Sequence, residues 1–302
     1  MAIEMGRDVL VTGSNGFIGR NFVRACADAG WSPHGIDICG DPDAVVVSFR
    51  RGAVSVANME AFGVGFDAVV HFAGTGSVGA AEADPDLARE NTVRSTAEVL
   101  EYARLHAGCR VVYVSSAAVY GNAGGVYSEH SPLQPISLYG KLKLEAEECC
   151  RMYNEAHHVP VHIIRPFSIY GVGLRKQLLW DFCRRADKAR RDGAPTIACF
   201  GTGREKRDFV NVRDVVAQIL WLLDSPAQWS IVNSGTGIAT SVDEVQRMIC
   251  ENLGYEGDLV YDCIARPGNP ESLVASVGAF AAKDMVSVRD GIREYVTWFK
   301  TA

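Results

Sequence analysis

The chain has 302 residues, 48% of them apolar and 22% charged, with a formal charge of −6, the make-up of an ordinary globular protein with room for one large or two medium domains. The negative balance argues against nucleic acid as the principal ligand, and no apolar run approaches the roughly 18 residues of a membrane helix. Nine cysteines without a C-x-x-C pair, and Met1 to Asp8 without a signal-peptide core, suit a reducing cytoplasmic setting; the seven histidines form no ligand cluster, so no metal is expected.

Val9-Leu10-Val11 reads as a buried strand. Gly13, Gly16 and Gly19 follow it, and the spacing of Phe17, Ile18, Phe22, Val23, Ala25 and Cys26 predicts a helix. A strand that runs through glycines into a helix makes a phosphate site, because unpaired N–H groups and the helix dipole meet an anion at a backbone without side chains. A second strand over Ser32 to Ile38 carries Asp37 a little over 20 residues after Gly13, where a carboxylate is expected to bond the adenosine ribose of NAD and repel the extra phosphate of NADP.

Short strands are expected over Ala44 to Phe49 and Ala53 to Val56, and a clear buried strand over Asp67 to Gly74. Glu82 to His106 predicts one long helix with Pro85 near its first turn, and Cys109 to Ser115 the next strand. A turn-rich stretch leads to a helix over Leu138 to His157 and a strand over Val161 to Ile164. Such alternation means a doubly wound parallel sheet, an α/β fold with ligands outside the carboxyl ends of its strands. From Arg165 to Gly171 the chain reads as a turn-like junction. Helices are then expected over Leu178 to Asp192, Val215 to Leu223, Val242 to Leu253 and Val286 to Lys300, with a strand-like segment over Arg207 to Val212. The basic run Arg184, Arg185, Lys188, Arg190 and Arg191 reads as the solvated face of its helix.

Of the ten tyrosines only Tyr139 has a lysine four residues on, Lys143, one turn away on the same helix face. An adjacent ammonium, and a nicotinium charge when NAD⁺ is bound, favour the phenolate and are expected to lower a phenol that is otherwise a poor base. Ser116, at the end of the preceding strand, is placed to hold a reacting oxygen.

These pieces resemble the extended short-chain dehydrogenases/reductases, in the NAD-dependent epimerase/dehydratase branch that acts on nucleotide sugars. The matching segments are TGSNGFIG (12–19), Asp37, HFAG (71–74), Asn91, SSAAVYG (115–121), YGKLK (139–143), RPFSIYG (165–171), RDFVNVRDV (207–215) and RPG (266–268). The resemblance implies a Rossmann-type domain over 1–165 that binds NAD, with 210–234 returning to it, and a smaller α/β domain over 166–302 for the nucleotide sugar. It assigns cofactor contacts to Gly13, Asn15, Gly16, Phe17, Ile18, Gly19, Asp37, Ile38, Phe72, Ala73, Gly74, Asn91, Ser115, Tyr139, Lys143 and Pro166. Catalysis falls to Tyr139 as acid and base, Lys143 as its tuning partner and Ser116 at the sugar hydroxyl. Ser116, Ser168, Arg207 and Arg266 face the substrate, the arginines on its diphosphate. The family also implies a homodimer through the two long helices.

Departures narrow the reaction. Ala117 and Ala118 stand where the family's dehydratases carry an Asp-Glu pair, and neither can move a proton. Ser55 replaces an acidic residue near the adenine, Ser168 an asparagine, and Gly76 a lysine of hexose 4-epimerases. A nucleotide-sugar 4-epimerase, a 4-keto-sugar reductase and a non-catalytic dinucleotide sensor stay open, in that order.

Overall fold

Short apolar runs alternate with amphipathic stretches through the first half of the chain, and they fold as strands and crossover helices. The computed structural model describes residues 7–302 apart from 64, 123, 265–269 and 277–283. In chain order the first half contains β1 (Arg7–Thr12), α1 (Phe17–Asp28), β2 (Trp31–Asp37), β3 (Ser48–Arg51), α2 (Val56–Glu60), β4 (Ala68–His71), α3 (Val78–Ala83) and α4 (Pro85–Arg89). A π-turn (Glu90–Arg94), α5 (Ser95–Leu105), β5 (Arg110–Val114), a 3-10 turn (Ala117–Val119), β6 (Val126–Tyr127), α6 (Leu138–His157) and β7 (Val161–Pro166) follow. The second half has β8 (Ser168–Tyr170), α7 (Gln177–Asp192), β9 (Thr196–Cys199), β10 (Lys206–Asn211), α8 (Val212–Leu223), β11 (Trp229–Ser234), β12 (Ala239–Ser241), α9 (Val242–Leu253), β13 (Asp258–Tyr261), β14 (Ser272–Ala275) and α10 (Val288–Phe299).

Seven strands form one sheet in the order β11-β7-β5-β4-β1-β2-β3, with parallel pairing from β3 through β7. Both side-chain sets of the central strands are buried: Leu10, Val69, Val111 and Tyr113 on one face, Val9, Val11, Val70 and Val112 on the other. A sheet covered on both faces is the doubly wound arrangement, and each fully buried aliphatic side chain contributes about 1.5–3 kcal/mol. The order reverses at β1, which puts its carboxyl end at the switch point where such sheets bind ligands.

The chain divides into two compact units: Met1–Gly121, Pro132–Arg165 and Val216–Val232 in the first, Asn122–Ser131, Pro166–Val215 and Asn233–Ala302 in the second. The segment 122–131 was expected in the first domain, and 210–215 and 233–234 with the returning stretch, yet all three belong to the second unit. The reason for 122–131 is β6, which pairs with β14 while Tyr127 O and Glu129 accept from Asn233. In the second unit the sheet runs β12-β10-β14-β6 with β8 against β10, β9 pairs with β13, and α9 packs against α7 and α10.

Four local expectations are corrected. The strand over 44–49 lies later, at β3. Residues 53–56 form no strand; Ser55 accepts the Asn58 N–H and starts α2. The long helix over 82–106 is broken, because Asp84 leaves helical geometry to accept the Leu87 N–H at 3.0 Å and Pro85 then opens α4. The junction over 165–171 contains β8, with Ser168 to Tyr170 registered against Phe209 to Asn211.

Candidate active site

The loop after β1 is built to leave a helix end open. Helix α1 starts at Gly16 without a side-chain cap, so its first N–H groups have no side chain assigned to them. A Cβ on Gly19 would collide with the Gly13 carbonyl oxygen, which fixes glycine there. Asp37, ending β2, accepts the Asn15 N–H at 2.9 Å and the Cys39 N–H at 3.2 Å. The Cys39 thiol also donates to it, at 3.7 Å. A carboxylate has about four lone-pair positions, so one remains open. Ile38 beside it is exposed. The expected phosphate loop and ribose acid are therefore joined by a hydrogen bond.

The end of β4 lies alongside. Thr12 and buried His71 hydrogen-bond at 2.6 Å, and Thr12 Oγ1 also accepts the Ala73 N–H at 3.2 Å, which ties Phe72-Ala73-Gly74 to the glycine loop. Burial, with Lys143 adding to it, pushes His71 down to about 3, so it is neutral at physiological pH and serves as a bracket. Gly74 faces the Asn91 carbonyl of the π-turn and the Lys143 ammonium; a Cβ there would lie 3.7 Å from each. Thus Gly74, Asn91 and Lys143 come together.

Helix α6 begins at Ser137, which accepts the Gly140 N–H at 3.1 Å. Gly140 sits so close to the 3-10 turn that a Cβ would stand 2.6 Å from the Ala118 carbonyl oxygen. This approach brings the Tyr139 hydroxyl beside Ser116, whose own Oγ accepts the Ala118 N–H. Lys143 Nζ, buried, donates to Val114 O at 2.8 Å. Burial lowers Lys143 to about 8, opposed by Glu147. The Tyr139 phenol goes the opposite way from the sequence-based expectation: burial raises it, and the Ser116 hydrogen bond works against that rise.

The Ser115 hydroxyl donates to buried Glu147, which also takes a fork from Arg165 through Nε at 2.9 Å and Nη2 at 2.6 Å. Neither Glu147 nor Arg165 was singled out as functional from sequence. The lysine-plus-four spacing of Glu147 was visible, but its partner on β7 was not. Pro166, Ser168 and Arg207 belong to the second unit. Arg207 donates to Lys206 O at 2.8 Å, and burial lowers its guanidinium, opposed by Glu205. Arg266 lies outside the described residues. Ala117 and Ala118 form the turn that Ser116 caps. Among the described residues no group of three or more His, Cys, Asp or Glu could hold a metal ion, and no helix is long and apolar enough to cross a membrane.

A glycine loop at the switch point of a Rossmann sheet, with a serine, tyrosine and lysine at the end of a central strand, defines a dinucleotide-dependent enzyme of the short-chain dehydrogenase/reductase kind. The NAD dependent epimerase/dehydratase family model matches residues 9–235, and the chain belongs to that family. UDP-glucose 4-epimerase 4 of Oryza sativa subsp. japonica is 30% identical over 97% of this chain and 89% of its own length. UDP-glucose 4-epimerase of Azospirillum brasilense is 32% identical over 96% and 86%. The structure of MoeE5 in complex with UDP-glucuronic acid and NAD aligns at a TM-score of 0.85 and 28% identity, covering 97% of this chain and 99% of that one.

Proposed function

We propose that the protein is an NAD-dependent epimerase acting at C4 of a UDP-linked hexose or hexuronic acid. The observation that carries this reading is the hydroxyl pair of Ser116 and Tyr139 beside the buried Lys143 ammonium, on the same sheet edge as the glycine loop. The residues present fit NAD: Gly13 to Gly19 give an uncapped helix start for the diphosphate, and Asp37 keeps an acceptor position for the ribose. Gly74 and Asn91 line the approach to Lys143. When bound, NAD supplies a hydride acceptor and, once reduced, a donor.

Tyr139 takes the proton from the sugar C4 hydroxyl as that carbon is oxidised to a ketone, and returns it when the opposite face is reduced. Ser116 orients the same oxygen. Lys143 supplies positive charge that favours the phenolate, which matters because burial alone holds the phenol proton on. Ala117 and Ala118 give no acid or base for loss of water, consistent with epimerisation and not dehydration.

The nucleotide sugar comes from the named relatives, and the substrate roles of Ser168, Arg207 and Arg266 rest on the family resemblance. A homodimer through α5 and α6 and a cytoplasmic location complete the reading; exposed Leu105 and Met152 on those helices support the first.

The test is one set of assays. Protein purified without added cofactor releases NAD on acid treatment and converts UDP-glucose or UDP-glucuronic acid to the 4-epimer, and Tyr139→Phe lowers turnover at least about 10²-fold while folding normally. Cofactor-free protein that consumes NADH only with a 4-keto sugar makes it a reductase. Bound NAD with no sugar chemistry makes it a sensor, and near-native turnover of Tyr139→Phe removes the phenol from the mechanism.

A further inference from the structure

Three consecutive residues at the end of β5 meet three positions on one face of α6. Val114 O takes the Lys143 ammonium, the Ser115 hydroxyl donates to Glu147, and Ser116 lies beside Tyr139. Tyr139, Lys143 and Glu147 are spaced four apart, so they lie in a column along the helix. The reaction as read above uses the first two and leaves Glu147 without a task.

Glu147 is an unusual residue to find there. It is a buried carboxylate, held by both arms of a fully buried guanidinium whose third nitrogen donates to the Tyr120 hydroxyl at 3.0 Å. A fork of this kind fixes a carboxylate in orientation as well as position. Such a pair commonly gives no more stability than apolar residues of the same volume, so stability alone does not account for it.

We propose that Glu147 is a positioning residue for the reaction inferred above: clamped by Arg165 and Ser115, its carboxylate sets the place and the charge of the Lys143 ammonium on which Tyr139 depends. The proposal rests on that reading of the function. The groups around Lys143 leave the task to this carboxylate. Cys150, on its own helix, is held firmly as the thiol by burial. Tyr113 on β5 offers a ring face 5.0 Å from Nζ, Tyr139 is a protonated phenol, and His71 on β4 is neutral. Arg165, beyond Glu147, adds positive charge. Glu147 is therefore the one formal anion among these groups, and it works against the burial that drives the proton off Lys143.

The test is Glu147→Gln, which keeps the shape and removes the charge. In protein labelled with isotopic lysine, where Lys143→Met identifies the signal by its loss, the Lys143 titration midpoint falls by at least about one pH unit. The alkaline limb of epimerisation moves down with it, and kcat drops while KM stays near native. If Glu147 is only structural, thermal stability falls while the midpoint and the limb stay where they are, and the proposal is overturned. Should Glu147→Gln fail to fold, the double variant Glu147→Gln/Arg165→Gln leaves two amides able to bond each other and no unpaired guanidinium; the same downward movement is expected. A native protein that converts no nucleotide sugar, yet whose Lys143 midpoint falls in the variant, defeats the functional reading and leaves the coupling of Glu147 to Lys143 standing.

Discussion

Helix α6 carries two charged rows that differ in where the helix turns them. Inward, Lys143 and Glu147 are buried, with Arg165 closing the row from β7. Outward, Arg151 bonds Glu148 and Glu155 in open solvent. Both rows use the same chemistry at helical spacing. Water screens the outer one, so it adds little to stability, whereas every inner charge costs desolvation that fixed partners must offset. The lesson is that burial, and not charge spacing, turns a helix surface pair into machinery.

The strongest way to break the inner row is Arg165→Met, which leaves Glu147 buried and unpaired. Denaturant unfolding should show a loss of about 3–5 kcal/mol, and Glu147→Leu/Arg165→Met should recover most of it. Next comes Lys143, lowered from 10.5 to about 8. Between those values the native state binds fewer protons than the unfolded chain, so stability rises with pH, and below that window the buried ammonium costs about 3 kcal/mol. Lys143→Met should therefore unfold later than native protein at neutral pH, by up to that amount, with the gain fading as pH climbs through the window. A variant no more stable at neutral pH would mean the ammonium is not held at a cost. Arg151→Ala, on the outer row, should leave the unfolding midpoint almost where it is, and added salt should shrink even that small change.

Much of this was legible in sequence where the cause is local. The glycine loop, Asp37 and the Tyr139–Lys143 spacing follow from backbone sterics and helical period; the structure bonds Asn15 to Asp37 and sets Ser116 beside Tyr139. What stayed hidden depends on distant partners. Arg165 looked like part of a turn because its carboxylate lies 18 residues back on another element. The break before α4 had a readable signal in Asp84-Pro85, but the apolar pattern on either side reads through it. The direction of the Tyr139 shift was missed because spacing reports the neighbouring amine and says nothing of solvent exclusion.

The bare α-carbon of Gly140 has a wider consequence. Because the start of α6 rests backbone to backbone on the Ala118 carbonyl, the spacing of Ser116 and Tyr139 is governed at a position that carries no side chain. A single methyl at 140 would act as a wedge, prising the helix from the strand end and parting Tyr139 from Ser116 with both side chains intact.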